Sequence, residues 1–433
     1  MTDPQPGNRA APEDPVTITR QQWKWTALAG MASYLDAGSI VALGASLALF
    51  QGYLGLTDRS VGLLAAIGPN ALGCALGAIG GGWLGDKLGR KRIYQYDLIV
   101  YALGVLCIAL AVNREMLFLG TFITGVAVGA DIPTSLALVG EIAPAKARGK
   151  LLGFTGVAWS LGPVVVLGLA LVLAPLGLLG LRIVFLHLFV VAVITWAMRR
   201  GLAESVRWKE AAGAALAVKP KLRALFAGAN LRALVWTATI YLFWNLAAGT
   251  AGIFTPYFIR NLNAGSQAAS VGLTSAGFIV SMLVTLTVFM PLADRNLRTR
   301  RRLWGVGAVM QVAAYGVFLF LPFTVPVIIM NILLFAAGCA LAGDALYKVF
   351  SQELFPTMLR GTAQGLTFGL ARIVMGAWSL FVPVLARSGI QEVAGLLVLF
   401  LLISGIVGYV FMPDTSGKSL EQIEAERDQG VST

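Results

Sequence analysis

The stretch Gly82-Trp83-Leu84-Gly85-Asp86-Lys87-Leu88-Gly89-Arg90-Lys91-Arg92 is a short charged turn between two long apolar segments. Charged side chains and unpaired backbone groups are both costly in hydrocarbon. The turn is therefore expected at a membrane surface, with an apolar helix entering the bilayer on either side of it.

The composition indicates a membrane protein with many spans. Of the 433 residues, 57% are hydrophobic and 12% are charged, whereas soluble domains carry about 25% charged residues. Twelve segments approach the roughly 20 residues that cross a bilayer. We number them spans 1 to 12, and they cover residues 24–51, 60–85, 93–112, 116–140, 150–176, 178–198, 232–259, 268–293, 303–321, 324–347, 361–385 and 391–412.

Basic residues mark one side of the membrane. The net charge is +12, and 27 of the 33 Lys and Arg fall in the N-terminal tail and the loops on its side. Cytoplasmic loops carry such an excess. We therefore expect a multi-pass protein of the cytoplasmic membrane with both termini inside the cell, and the charge needs no nucleic-acid partner to explain it.

The sequence offers little chemistry for an enzyme or a cofactor. Cys74, Cys107 and Cys339 all fall within spans, at spacings that match no metal site. No G-x-x-x-x-G-K-[ST] loop occurs, and a single histidine excludes most catalytic constellations. We expect no enzyme and no cofactor, and a small solute and protons as the partners.

An internal repeat divides the chain into halves. Glu141-Ile-Ala-Pro144-Ala-Lys-Ala-Arg148-Gly149 ends span 4, and Glu353-Leu-Phe-Pro356-Thr-Met-Leu-Arg360-Gly361 ends span 10, with Glu, Pro, Arg and Gly at a constant offset of 212. Asp294-Arg295 after span 8 is a partial counterpart of Asp86-Lys87. A repeated six-helix unit places a solute site between the halves near the midplane.

The predicted fold is an all-α membrane protein of twelve transmembrane helices in two pseudo-symmetric six-helix bundles. We expect five regions along the chain. They are a disordered cytoplasmic tail (1–23), the first bundle (24–200), a cytoplasmic linker (201–231), the second bundle (232–412) and a cytoplasmic tail (413–433).

The chain resembles the major facilitator superfamily over nearly its full length. Residues 82–92 match the loop between helices 2 and 3 of that family, G-x-x-x-D-[RK]-x-G-R-[RK]. Glu141–Gly149, Glu204–Trp208 and Pro413–Glu421 resemble motifs of its sugar-porter branch. The resemblance implies the family's fold and alternating access, with spans 1, 4, 7 and 10 lining a central cavity, and we expect a monomer.

The substrate positions depart from the sugar-porter pattern. The glutamine of span 5 falls on Gly156, the Gln-Gln pair of span 7 falls on Trp244-Asn245, and the tryptophan of span 10 falls on Lys348. Gly129-Ala130-Asp131-Ile132-Pro133 and Ala371-Arg372-Ile373 instead resemble branches that carry organic ions. The sequence therefore indicates a sugar-porter scaffold with an altered interior.

Ionisable residues inside spans need a reason, because each costs about 2.5–3.5 kcal/mol to insert. Asp36 and Asp131 are expected at similar depth on neighbouring cavity helices, where two carboxylates cannot both ionise easily. Both are predicted proton-coupling residues. Asp97, one turn into span 3, is expected to belong to the charged cytoplasmic cluster.

Arg372 lies near mid-depth in span 11, and its guanidinium suits bidentate binding of a carboxylate. It either holds an anionic substrate or pairs with Asp344 or Asp36. Asp344 and Lys348 are four residues apart and are expected to pair on one helix face. Arg372 and Asp344 are both candidate substrate ligands.

Span 7 supplies aromatic residues with polar tips, which suit stacking on a ring and hydrogen bonding to its edge. Tyr241, Trp244 and Asn245 are the candidate substrate-binding residues there. Packing between helices is the alternative role for each of them.

Charged residues at the cytoplasmic helix ends are expected to form salt bridges that close the inner side. These gating candidates are Asp86, Arg90, Glu141, Arg148, Asp294, Arg295, Glu353 and Arg360.

The sequence predicts a proton-coupled symporter that imports a small polar metabolite, with a sugar or polyol favoured. Two alternatives stay open. One is symport of an organic anion held by Arg372, and the other is a drug/proton antiporter, indicated by Gly162-Pro163 and Gly168 in span 5.

Overall fold

A computed structural model describes residues 17–215, 222–261, 267–385 and 389–428. Within these residues the regular structure is helical, and eleven helices are long and apolar enough to cross a membrane. Predicted span 7 is the 34-residue helix Gly228–Asn261, which exceeds the length that a bilayer requires. Most of the predicted N-terminal tail, part of the linker and the last five residues lie outside the described residues.

The twelve predicted spans all correspond to helices. Spans 1 to 6 are Arg20–Leu54, Asp58–Ile67 with Leu72–Leu88, Arg90–Ala109, Arg114–Ile142, Arg148–Val172 and Leu178–Arg199. Spans 7 to 12 are Gly228–Asn261, Gln267–Val284 continued to Leu292, Leu297–Phe320, Val325–Leu341 with Asp344–Glu353, Arg360–Leu385 and Ile390–Val410. Two short helices, Val206–Ala215 and Leu420–Asp428, follow the bundles.

Polar caps set several helix ends. Thr19 forms a capping box with Gln22, so span 1 begins at Arg20, earlier than predicted. The side chain of Asn296 accepts from Thr299 N, so span 9 begins at Leu297, six residues before the predicted start. The basic run after residue 296 therefore lies on a helix and not in a loop.

Spans 2 and 10 are interrupted where the sequence analysis predicts continuous helices. Span 2 breaks between Ile67 and Leu72, at Gly68-Pro69-Asn70. Span 10 breaks at Ala342-Gly343, where Gly343 has φ +75° and lies against the indole of Trp244. A side chain at Gly343 would be strained and would also collide with that ring.

The packing repeats itself after six spans. Among the described residues, the most extensive packing within the first half joins spans 1 and 5, 3 and 4, 2 and 4, and 3 and 6. In the second half spans 7 and 11, 9 and 10, 8 and 10, and 9 and 12 pack in the same way. The structure therefore carries the repeat that the two loop motifs indicate.

Two seams join the halves, one between spans 2 and 11 and the other between spans 5 and 8. Glycines bring the backbones together at the first seam. A Cβ atom on Gly82 would meet the carbonyl group of Gly361, and one on Gly365 would meet that of Ala78. The close backbone contact between spans 2 and 11 therefore depends on glycine at residues 82 and 365, where a side chain would not fit.

Replacing Gly82 with valine should force the first seam apart. We expect a longer distance, by pulsed electron paramagnetic resonance, between spin labels at the exposed residues Arg92 and Arg298 in the two halves. Gly80→Val is the matched control, because a Cβ atom on Gly80 meets nothing within 4 Å. Equal label distances in both variants would contradict the role of this contact.

Candidate functional site

A cavity lies between the two halves. It has a volume of about 110 Å³ and is lined by residues of spans 1, 2, 4, 5, 7, 8, 10 and 11. One water needs about 10–15 Å³ by the same measure. The cavity is therefore large enough for a small solute, and it lies where a repeated transporter fold would place one.

Asp36 and Arg372 meet in this cavity across the two halves. The guanidinium Nη2 of Arg372 lies 3.9 Å from Oδ2 of Asp36, and Nε1 of Trp159 donates to the same oxygen at 3.2 Å. Arg372 Nη1 donates to the side-chain oxygen of Asn70 at 2.6 Å, in the break of span 2. Of the partners that the sequence leaves open for Arg372, the structure brings Asp36 closest.

Aromatic rings form one wall of the cavity. Tyr241 stacks on Tyr347 at 4.0 Å and on Phe368 at 5.4 Å between ring centroids, and Trp244 lies 5.7 Å from Tyr241. Tyr241, Trp244 and Asn245 all line the cavity, so the three residues predicted from span 7 are together.

Asp344 and Lys348 form the pair that their spacing predicts. Lys348 Nζ lies 2.6 Å from Asp344 Oδ2, and both residues line the cavity. The break at Gly343 makes Asp344 the first residue of the second helix of span 10, where a carboxylate also stabilises the helix N-terminus.

Several buried polar atoms of cavity residues lack a partner in the described part of the chain. They are two acceptors, Asp36 Oδ1 and Asn245 Oδ1, and two donors, Trp244 Nε1 and Arg372 Nε. A buried polar group without a hydrogen bond costs about 1–3 kcal/mol. A ligand that both donates and accepts hydrogen bonds would remove that cost.

Asp131 does not join Asp36, contrary to the sequence expectation. It is not among the described residues that line the cavity. Its carboxylate instead accepts from Arg199 Nη1 at 2.9 Å and from the hydroxyl of Ser135. Asp97 lies 3.9 Å from the same Arg199 nitrogen, so it is also absent from the cluster to which the sequence assigned it. The buried guanidinium of Arg199 attracts both carboxylates, which explains the positions of Asp97 and Asp131.

The first charged cluster lies at the end of the molecule that carries residues 82–92. Asp86 accepts from the backbone N–H groups of Gly361 and Thr362 at 3.0 and 2.6 Å, at the N-terminus of span 11. Arg90 lies 2.5 Å from Asp86 and 2.9 Å from Glu141. Arg360 lies 3.3 Å from the same Glu141 oxygen. These contacts join the two halves.

A second cluster repeats this arrangement across the other seam. Asp294 accepts from the backbone N–H groups of Gly149 and Lys150 at 2.7 and 2.8 Å, at the N-terminus of span 5. Glu353 lies 3.1 Å from Arg148 and 2.8 Å from Arg300. Each half thus caps a helix of the other half with a carboxylate.

The pKa of the Asp294 carboxyl in this second cluster is subject to two opposing effects. Burial raises the pKa of the Asp294 carboxyl, whereas Arg300 and the two backbone N–H groups act in the opposite direction. A protonated Asp294 would lose part of its attraction for Arg300, so this contact is sensitive to acid.

Arg300 takes the position that the sequence analysis assigned to Arg295. Arg295 is exposed, whereas Arg300 is fully buried and donates to Glu353, to Thr415 and to the carbonyl of Ala293. The cap residue Asn296 is the signal that places Arg300 in the first turn of span 9. The other predicted gating residues lie in the two clusters.

Three further residues were not singled out from the sequence. Arg199 adjoins the predicted linker in the sequence, although it is fully buried at the end of span 6. Trp159 and Asn70 contact the central charge pair. The turn signal Gly68-Pro69 precedes Asn70, whereas no pattern distinguishes Trp159 from a lipid-facing tryptophan.

The comparisons with known sequences agree over most of the chain. Residues 26–380 match the profile of the Major Facilitator Superfamily. The minor myo-inositol transporter IolF of Bacillus subtilis (strain 168) is 41% identical over 413 residues, which are 93% of each chain. The glucose transporter GlcP of Staphylococcus epidermidis (strain ATCC 12228 / FDA PCI 1200) is 25% identical and covers 82% of this chain and 86% of its own.

Solved structures share the fold. The proton:xylose symporter XylE bound to 6-bromo-6-deoxy-D-glucose superposes with a TM-score of 0.82 at 17% identity, over 93% of this chain and 98% of XylE. The xylose transporter XylE from E. coli in an inward-open conformation superposes with a TM-score of 0.68 at 17% identity. The match covers 93% of this chain and 99% of XylE.

Removal of Arg300 should destabilise the protein. Arg300→Gln leaves Glu353 and Asp294 buried with less compensation, and breaking a buried pair costs about 3–5 kcal/mol. Arg298→Gln is the control, since Arg298 is exposed on the same helix. Thermal unfolding in detergent measures the difference, and equal losses in the two variants would contradict the assignment of Arg300.

Proposed function

This chain belongs to the Major Facilitator Superfamily, and we propose that it imports a neutral polyhydroxylated solute together with protons. The favoured class is a cyclic polyol. The relative at 41% identity, a minor myo-inositol transporter, supports that class because it matches 93% of this chain.

The unpartnered polar atoms of the cavity carry the proposal. Two donors and two acceptors lie close to an aromatic wall, in residues that line one cavity. A hydroxyl group both donates and accepts, so a ring with many hydroxyl groups satisfies both kinds of atom. The C–H face of such a ring can pack on Trp244 or Phe368.

The charges of the cavity favour a neutral solute over an organic anion. Asp36 and Asp344 face Arg372 and Lys348, so the described lining carries two negative and two positive groups. Arg372 already contacts Asp36 and Asn70. An anionic substrate would have to displace these partners, whereas a polyol needs only the free atoms.

Asp36 is the proposed proton-coupling residue. It is 1% exposed, and its contact with Arg372 joins span 1 of the first half to span 11 of the second. Protonation removes the carboxylate charge and with it the attraction between the two groups. Proton binding therefore weakens a contact between the halves, which links it to their relative movement.

The two charged clusters are the proposed inner gate. They close the end that carries most of the basic loops, which we assign to the cytoplasm by the positive-inside rule. Both termini then lie in the cytoplasm, and the protein lies in the cytoplasmic membrane. A single chain encloses the cavity, so we propose a monomer as the working unit.

Uptake into proteoliposomes tests the proposed activity. Labelled myo-inositol should accumulate when the interior is made alkaline, and a protonophore should abolish the accumulation. Glucose, a monocarboxylate and a cationic dye serve as competitors. Accumulation that ignores the pH gradient, competition by the carboxylate alone or efflux of the dye would each contradict the proposal.

Asp36→Asn should lose gradient-driven accumulation by at least about tenfold and should keep exchange of labelled for unlabelled solute, because the neutral amide mimics the protonated state. Asp344→Asn is the matched cavity control. Its carboxylate pairs with Lys348 on the same helix, so we expect weaker binding with accumulation retained. An Asp36→Asn protein that still concentrates solute would exclude Asp36 as the coupling residue.

A further inference from the structure

A second group of buried charges lies inside the first half. It consists of Asp97 on span 3, Asp131 on span 4 and Arg199 at the end of span 6, with Tyr94 beside them. Their exposed fractions are 6%, 2%, 0% and 1%. The described residues that line the cavity include none of these four. The proposed transport mechanism therefore leaves this group unused.

Arg199 is fixed on several sides. Its Nη1 lies 2.9 Å from Asp131 Oδ2 and 3.9 Å from Asp97 Oδ1. Its Nε and Nη2 both donate to the carbonyl oxygen of Leu28 on span 1, at 3.1 and 2.8 Å. The guanidinium lies over the ring of Tyr94, 3.6 Å from the centroid. One cation thus connects spans 1, 3, 4 and 6.

The charges of the group do not balance when both acids are ionised. Two carboxylates face one guanidinium, and the other described groups in contact with the group are neutral: the ring of Tyr94, the hydroxyl of Ser135 and the carbonyl of Leu28. A net negative charge would then be buried, which is strongly unfavourable. One proton would make the group neutral.

The carboxyl groups of Asp97 and Asp131 need a hydrogen-bond donor between them. Asp97 Oδ1 accepts from Leu98 N at 2.6 Å, whereas Asp97 Oδ2 has no partner in the described part of the chain. Asp97 Oδ1 and Asp131 Oδ2 lie 3.9 and 2.9 Å from the same nitrogen, Arg199 Nη1, which holds the two carboxyl groups next to each other. Two ionised carboxylates can only accept, so a hydrogen bond forms between them only when one of them carries a proton.

We propose that Asp97 and Asp131 bind one proton between them, and that this proton stays in place during the transport cycle. The proton comes from water and no other bond changes. Asp131 is the partner of Arg199 in this arrangement and Asp97 is the acid that donates to it. The site is a fixed proton site that holds spans 1, 3, 4 and 6 together.

The location of the site distinguishes it from Asp36. All of its described contacts lie within the first half, so movement of one half against the other leaves them unchanged. Asp36 contacts Arg372 of the second half, and its protonation state changes a contact that must break. The same residue type therefore has two roles in one bundle, one stationary and one mobile.

Infrared spectroscopy of the reconstituted protein tests the bound proton directly. We expect a carboxylic-acid carbonyl band at neutral pH that persists in Asp36→Asn and is lost in Asp97→Asn. The band should respond neither to myo-inositol nor to an imposed pH gradient. Absence of this band in the wild-type protein, or its loss on addition of solute, would overturn the proposal.

Stability against pH gives a second readout that needs no transport. The folded protein holds a proton that the unfolded chain releases, so stability should fall as pH rises. Asp97→Asn supplies a permanent donor and should flatten this dependence. Arg199→Gln should destabilise strongly, whereas Arg200→Gln, at the exposed neighbouring residue, should not. An unchanged pH dependence in Asp97→Asn would overturn the proposal, and the wild-type infrared band decides it if that variant does not fold.

Uptake then distinguishes a fixed proton from a transported one. Asp97→Asn should retain proton-driven accumulation to within about twofold, in contrast to Asp36→Asn. If Asp97→Asn folds, binds solute and no longer accumulates it, the proton belongs to the coupling mechanism and the inference is wrong. Failure of the polyol assignment would leave the infrared and stability results unaffected.

Discussion

The structure depends on one kind of contact, a carboxylate of one half that accepts hydrogen bonds from the first backbone N–H groups of a helix in the other half. Asp86 makes it to span 11 and Asp294 makes it to span 5. A helix N-terminus has free N–H groups and a partial positive charge, so a carboxylate there is well placed. These two caps join the halves at the end of the molecule that carries residues 82–92, and the arginine clusters around them add charge-assisted bonds. Because the caps are related by the internal repeat, movement of one half against the other disturbs both.

Buried charges in this chain fall into two classes according to whether their contacts cross between the halves. Asp36 with Arg372, and the charged clusters with their caps, join the halves, so they can form in one conformation and break in another. Asp131 with Arg199 joins spans of a single half. The distinction follows from position in the repeat and not from residue type, since both classes are built from Asp, Glu and Arg. The role that we propose for each buried charge therefore follows from the helices that it connects.

The sequence was sufficient for the architecture but only partly for the site. Span lengths, the basic loops and the motifs at Glu141 and Glu353 fix twelve helices in two related halves, because bilayer thickness and charge leave few alternatives. Asp36, Arg372, Tyr241 and Trp244 could be placed in the cavity from their depth and from the family resemblance. The neighbours of Asp131 could not, because its partner Arg199 is 68 residues away and reads as an ordinary cytoplasmic cation. Arg300 was missed for a local reason, since the cap at Asn296 starts the helix before the basic run, six residues earlier than predicted.

The unpartnered atoms of the cavity also bear on whether protons can cross without solute. While the solute is absent, sealing the cavity on both sides would strand Asn245, Trp244 and the free edges of Asp36 and Arg372 away from water. Occlusion with a bound proton but no solute is therefore unfavourable, because it buries these polar atoms without partners. A hydroxylated ring supplies the partners and removes this cost. In the proposed mechanism, the unpartnered atoms that favour a hydroxylated solute would also reduce the leak of protons when that solute is absent.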